Sequence, residues 1–127
     1  MTENKRHIAS IGMERFDDTL VMLLTLKGKL THEDYQEITP LFDSAVEKFQ
    51  GKGVRMLVDL EDFDGWEIRA AWDDFKLGVK YNAKFDRIAL FGHKNWQDGA
   101  VKVMDWFISG ETKSFHNYQS AIIWLTD

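Results

Sequence analysis

Residues 19–27 read TLVMLLTLK, and the way that run is buried decides the fold. A strand with one wet face alternates apolar and polar residues, because successive side chains point to opposite faces of its sheet. Here Leu20, Val21, Met22, Leu23, Leu24 and Leu26 follow one another almost without a break. Such a run belongs to a strand covered on both faces, and so to the inside of a layered α/β domain. It is far too short to cross a bilayer. Upstream, residues 8–16 alternate loosely and stop at Asp17-Asp18, so the two segments read as an antiparallel hairpin closed by a two-residue turn.

Downstream, Thr31-His32-Glu33-Asp34 places a hydroxyl at a helix cap and a carboxylate three residues later, a capping-box pattern. Tyr35, Ile38, Phe42, Ala45, Val46 and Phe49 then keep helical spacing, with Pro40 inside the run as a source of a kink, and GKG at 51–53 ends the helix. Residues 54–60 read as a second buried strand, followed by a helix over about 65–81. A short strand at 87–92, a helix over about 96–108 and a charged edge strand at 111–115 follow. Asn117 caps a last helix whose apolar positions are Tyr118, Ala121, Ile122 and Leu125. The expected order is ββαβαβαβα, an α/β fold with a mostly parallel mixed sheet.

Composition narrows the function classes. A chain of 127 residues that is 44% hydrophobic and 13% aromatic fits one domain with a real core, over 1–127, with 1–6 as a disordered N-terminus. With no cysteine there is no disulfide, Cys-zinc site or Cys nucleophile, which fits a reducing cytoplasm. The first residues, MTENKRHIASIG, lack the apolar segment of a signal peptide. A net charge of −5 with scattered basic residues argues against nucleic acid as a partner.

The acidic stretch LEDFDGWE at 60–67 invites a reading as chemistry. DFDGW echoes the Asp-x-Asp start of haloacid-dehalogenase phosphatases, but Trp66 stands where that family has Thr or Val. A calcium loop aligned on Gly65 would put Leu60 first and Ala71 twelfth, where oxygen ligands are required. The simpler reading makes Asp64 a helix cap and Glu67 its capping-box partner, with Asp59, Glu61 and Asp62 as solvated turn residues. His7, His32, His93 and His116 form no metal-binding pair, and no nucleophile elbow or phosphate-cradling glycine motif is present. The expectation is therefore a protein that is not an enzyme and uses no cofactor or metal.

The 65–81 segment is more informative. At 100° per residue Ile68, Trp72, Phe75 and Val79 form one apolar stripe, and Trp66, Ala70, Leu77 and Tyr81 form a second on roughly the opposite side. A helix on a sheet needs one stripe; the second meets a neighbouring helix, a partner chain or an apolar ligand. The 96–108 segment has one stripe, Trp96, Ala100, Val103, Met104 and Phe107, with Trp106 off it.

The element order, with RMLVDLEDFDGWEIRAAWDDFKLGVKY, FDRIALFGHKNWQ and ISGETKSFHNYQSAIIWL, resembles the SpoIIAA-like family, a STAS-related bacterial group. FDGW and the terminal A-x-x-W-L are the most diagnostic pieces. The resemblance implies a right-handed βα superhelix with its helices packed on one side of the sheet. In the anti-sigma-factor antagonists of that group a Ser at the start of the helix after the corresponding strand is phosphorylated. Here Asp64-Gly65-Trp66-Glu67 occupies that place, and no Ser or Thr occurs between Ala45 and Ile108, so the switch has no hydroxyl to act on.

Another branch of the family is similar to the lipid-carrying CRAL-TRIO/Sec14 domains, which implies binding of a lipid or other apolar small molecule, with peripheral membrane contact. The residues expected to line such a site are Phe63, Trp66, Leu77, Tyr81, His93, Trp96 and Phe107. The alternative is a homodimeric protein-interaction module, without the phosphoserine switch, that buries the second stripe between chains.

Overall fold

The computed structural model describes residues 8–66, 85–92 and 110–127. The strand read from TLVMLLTLK is β2 (Thr19–Leu30), and it pairs antiparallel with β1 (Ile8–Phe16) in a register that sets Phe16 opposite Thr19. The turn between them holds Asp17 at φ 57°, a left-handed conformation that Asp tolerates better than bulkier residues. On the parallel side β2 pairs with β3 (Val54–Asp59), which pairs with β5 (Phe85–Phe91), which pairs with β6 (Glu111–Phe115). The order across the sheet is β1-β2-β3-β5-β6, mixed because only β1 is antiparallel.

Two helices are described. α1 (His32–Glu47) carries the expected capping box, in which Asp34 N donates to Thr31 Oγ1 at 3.2 Å and Thr31 N donates to Asp34 Oδ2 at 2.8 Å. Pro40 lies inside α1. α2 (Tyr118–Thr126) is capped by Asn117, whose Oδ1 accepts from Ser120 N at 2.9 Å.

The sheet is buried from both sides. Met22, Leu24 and Leu26 of β2, Met56 and Val58 of β3, and Ile88 and Leu90 of β5 meet Ile38, Phe42 and Ala45 of α1 and Phe49 of the turn after it. The alternate residues Val21, Leu57, Ala89 and Phe91 meet Ala121 and Leu125 of α2. Each of the larger side chains among them (Val, Leu, Ile, Met and Phe) contributes on the order of 1.5–3 kcal/mol before the entropy of ordering it. The continuous apolar run of β2 thus has the double cover that it requires. The helices are correspondingly not on one side: α1 and α2 occupy opposite faces, which corrects the one-sided arrangement implied by the resemblance.

A second correction concerns FDGW. Phe63–Trp66 forms a strand, β4, parallel to the end of β2, pairing Phe63 with Gly28 and Trp66 with Leu30. Gly65 and Trp66 therefore do not open a helix, and Asp64 lies within β4 rather than at a helix cap. The described order gains a strand between β3 and β5 relative to the expected ββαβαβαβα. Gly28, at φ 72°, sits where the register shifts between Gly28 and Lys29, a bulge conformation costly for any residue with a Cβ. The rest of the helix expected over 65–81, from 67 onward, and the helix expected over 96–108 lie outside the described residues.

Arg55 and Arg87 hold α2 down at its carboxyl end. They are direct neighbours across the β3–β5 pair, yet both point at main-chain carbonyls. Arg55 Nη1 donates to Leu125 O and Arg87 Nη1 donates to Trp124 O, each at 2.6 Å. The Arg87 guanidinium also lies 5.4 Å from the Trp124 ring centroid, and Arg55 Nε donates to Asp86 Oδ2 at 3.0 Å. Cations at the negative end of a helix dipole complement it, which accounts for two like charges standing side by side.

Candidate functional site

The chain leaves β3 at Asp59, turns through 60–62 and rejoins β2 as β4. Main-chain bonds stitch the turn: Leu60 N donates to Phe91 O at 2.7 Å and Gly28 N donates to Asp62 O at 2.8 Å. Asp59 lies between Thr25 of β2 and Phe91 of β5 in the ladder, so its side chain belongs to the α2 face. It is half-buried and its Oδ1 accepts from Glu61 N at 3.0 Å. Burial pushes the Asp59 carboxyl above its usual range; the Glu61 hydrogen bond opposes this, the charges of Glu61 and Asp62 add to it, and Lys27 offsets part. Asp59 is thus more than the solvated turn residue expected.

Tyr118, at the start of α2, stands beside it. Its ring meets Phe91 edge-on, with centroids 5.8 Å apart at 73°, and the residue stays 42% exposed. Burial raises the Tyr118 hydroxyl, and the charges of Glu14 and Asp59 raise it further. The neighbouring part of the same face is open. The β1–β2 register puts Ser10, Gly12 and Glu14 of β1 beside Thr25, Leu23 and Val21 of β2. A Cβ built on Gly12 meets nothing within 4 Å. Leu23 and Thr25 are half-buried, and Ser10 and Glu14 are exposed. The result is a shelf with an apolar floor at Leu23 and Phe91 and a polar rim at Glu14, Asp59 and Tyr118. Such a surface can seat an apolar body and hydrogen-bond a polar end.

Of the residues expected to line a ligand site, Phe63 is buried in the α1-side core, and Trp66 lies at the end of β4. Leu77, Tyr81, His93, Trp96 and Phe107 lie outside the described residues. His116 is exposed, with Nδ1 3.1 Å from Gly92 O. Among the described residues no group of His, Cys, Asp and Glu could hold a metal ion, and no helix is long and apolar enough to cross a membrane.

The sequence reading did not find the Asp59–Tyr118 shelf. The signal available was modest: a carboxylate ending a buried strand and a glycine, Gly12, within an otherwise alternating one.

Comparison with known proteins follows the fold. No curated protein matches the chain. The crystal structure of an uncharacterised protein of the DUF3478 family with a SpoIIAA-like fold, from Shewanella loihica PV-4, is 40% identical over 98% of both chains, with a TM-score of 0.78. The model of the SpoIIAA-like family matches residues 21–126, from within β2 through both described helices to the end of α2; the chain belongs to the SpoIIAA-like family.

Proposed function

We propose that this protein is a non-enzymatic binding protein that takes a lipid-like or other apolar small molecule on the α2 side of its sheet. One observation carries the reading: among the described residues the α2-side layer is not closed. Phe16 and Leu23 are only partly buried there, with Gly12 opposite Leu23 and open space above it, and Phe115, Ile122 and Trp124 are partly buried towards the other edge of the same face. A surface of partly covered aromatic and aliphatic groups with a few polar atoms at its rim is the usual make-up of a ligand site. Neither the matched family nor the structural neighbour names a ligand, so the class of ligand rests on this surface and on the many apolar residues that the sequence has at 68–81 and 96–108. A membrane would be met at its surface only, as the source of the ligand.

Extraction of the natively purified protein into organic solvent, followed by mass spectrometry, tests the proposal. A stoichiometric apolar compound is expected, and Gly12→Trp, which covers Leu23 without removing any core residue, lowers binding of a fluorescent fatty-acid probe about tenfold or more. No co-purified compound together with no probe binding overturns it.

A second reading, self-association, has one supporting observation: among the described residues β1 pairs only with β2, leaving a nine-residue strand at the sheet edge. Light scattering across a concentration series would show a dimer; a monomer throughout removes this reading.

A further inference from the structure

The opposite end of the sheet carries the opposite charge. Where β1 ends, β2 and β3 begin and α1 finishes, a cleft of about 350 Å³ opens, within the size range of small-molecule sites. Its lining includes Arg15, Lys48, Lys52 and Arg55, against one carboxylate, Asp18. In a chain of net charge −5 this is a local reversal of sign. Arg55 is committed to Asp86 and to the carboxyl end of α2. Among the described residues Arg15, Lys48 and Lys52 have no ion-pair partner. Lys48 is the C-cap of α1, so part of its charge complements the helix dipole. Arg15 and Lys52 come from the hairpin and the turn after α1 and have no such role.

Arg15 and Lys52 are uncommitted and Lys48 only partly engaged, so all three can turn to an anion in the cleft. Gathering them from the end of β1 and from the end of α1 with its turn suits recognition of a compact multivalent anion, and Arg supplies the forked donor geometry that suits oxyanions. We infer that this cleft binds a phosphate group, carried on a small organic phosphate or on a lipid head. The inference is independent of the apolar shelf, which lies at the other end of β2 and β3.

Amide NMR shifts of the full chain are followed during titration with sodium pyrophosphate and, separately, with phosphatidylcholine vesicles containing phosphatidylglycerol. The same titrations are run on Arg15→Gln/Lys48→Gln/Lys52→Gln, whose three exposed side chains are outside the core, with circular dichroism as the check on folding. Saturable shifts at Arg15, Thr19 and 48–53 with pyrophosphate support the inference with a free phosphate as ligand. The same shifts with vesicles alone support it with a lipid head group as the source. In either case the triple variant weakens binding about tenfold or more, and each single variant about threefold. Absence of saturable shifts in both titrations, or equal binding by the triple variant, overturns it.

Discussion

The two faces of the sheet are built from the same strands and differ in how completely they are closed. On the α1 side, fifteen described residues are buried, including Phe42 packed against Phe85 with ring centroids 6.1 Å apart. Five more are partly covered on that side, and on the α2 side six are buried and five partly covered. Alternation along each strand sends every second residue to each face, so the strands do not explain the difference. The two described helices differ: α1 has sixteen residues and buries Ile38, Phe42, Ala45 and Phe49 with the turn beyond it, whereas α2 has nine and buries Ala121 and Leu125.

That contrast is breakable. Phe42→Ala empties a site enclosed on all sides, and a loss of about 3–5 kcal/mol in denaturant unfolding is expected. Leu125→Ala removes an equally buried side chain from the thinner layer, where neighbours can relax into the gap, and about 2–3 kcal/mol is expected. If the second loss equals or exceeds the first, the α2 layer is as closed as the other and the contrast fails. Arg87→Ala comes next, since it removes a charged hydrogen bond to Trp124 O and the stacking on Trp124. A loss of roughly 1.5–3 kcal/mol is expected, with α2 fraying first in hydrogen exchange.

The smallest effect concerns Asp59. Its folded pKa is raised, so the folded state favours the protonated form, and stability present below the ordinary value of 3.8 is lost as pH rises through the folded value. Asp59→Asn, which keeps an oxygen for the Glu61 N–H, removes that loss. Thermal melts of the variant and parent should coincide below that window and separate above it, with the variant slightly the more stable. A variant less stable at neutral pH would show that Asp59 is held by a favourable partner instead of being penalised by burial.

Local signals were legible in the sequence. Thr31 and Asp34 lie three residues apart and close their capping box without help from the rest of the chain, as Asn117 does with Ser120. The unbroken run of β2 stated correctly that both faces are covered, a conclusion that already required helices on both sides and outweighs the one-sided arrangement expected from resemblance. What failed was non-local. Asp64 and Glu67 have the spacing of a cap, but Phe63–Trp66 is recruited as a strand by the end of β2, more than thirty residues earlier. The only hint was Gly28, inside a strand, where a bulge lets β2 change partners. The shelf and the basic cleft failed for the same reason. Asp59 is half-buried because β5 and α2 reach it, and the cleft gathers Arg15, Lys48 and Lys52 from segments that share no motif.

The central claim is that the open α2-side layer is the binding face. It is tested most directly by amide NMR of the full chain titrated with a medium-chain fatty acid. Saturable shifts at Gly12, Leu23, Thr25, Asp59 and Tyr118, with the α1 residues Phe42 and Ala45 unmoved, are the predicted result. No saturable shift at any of those five residues would contradict it.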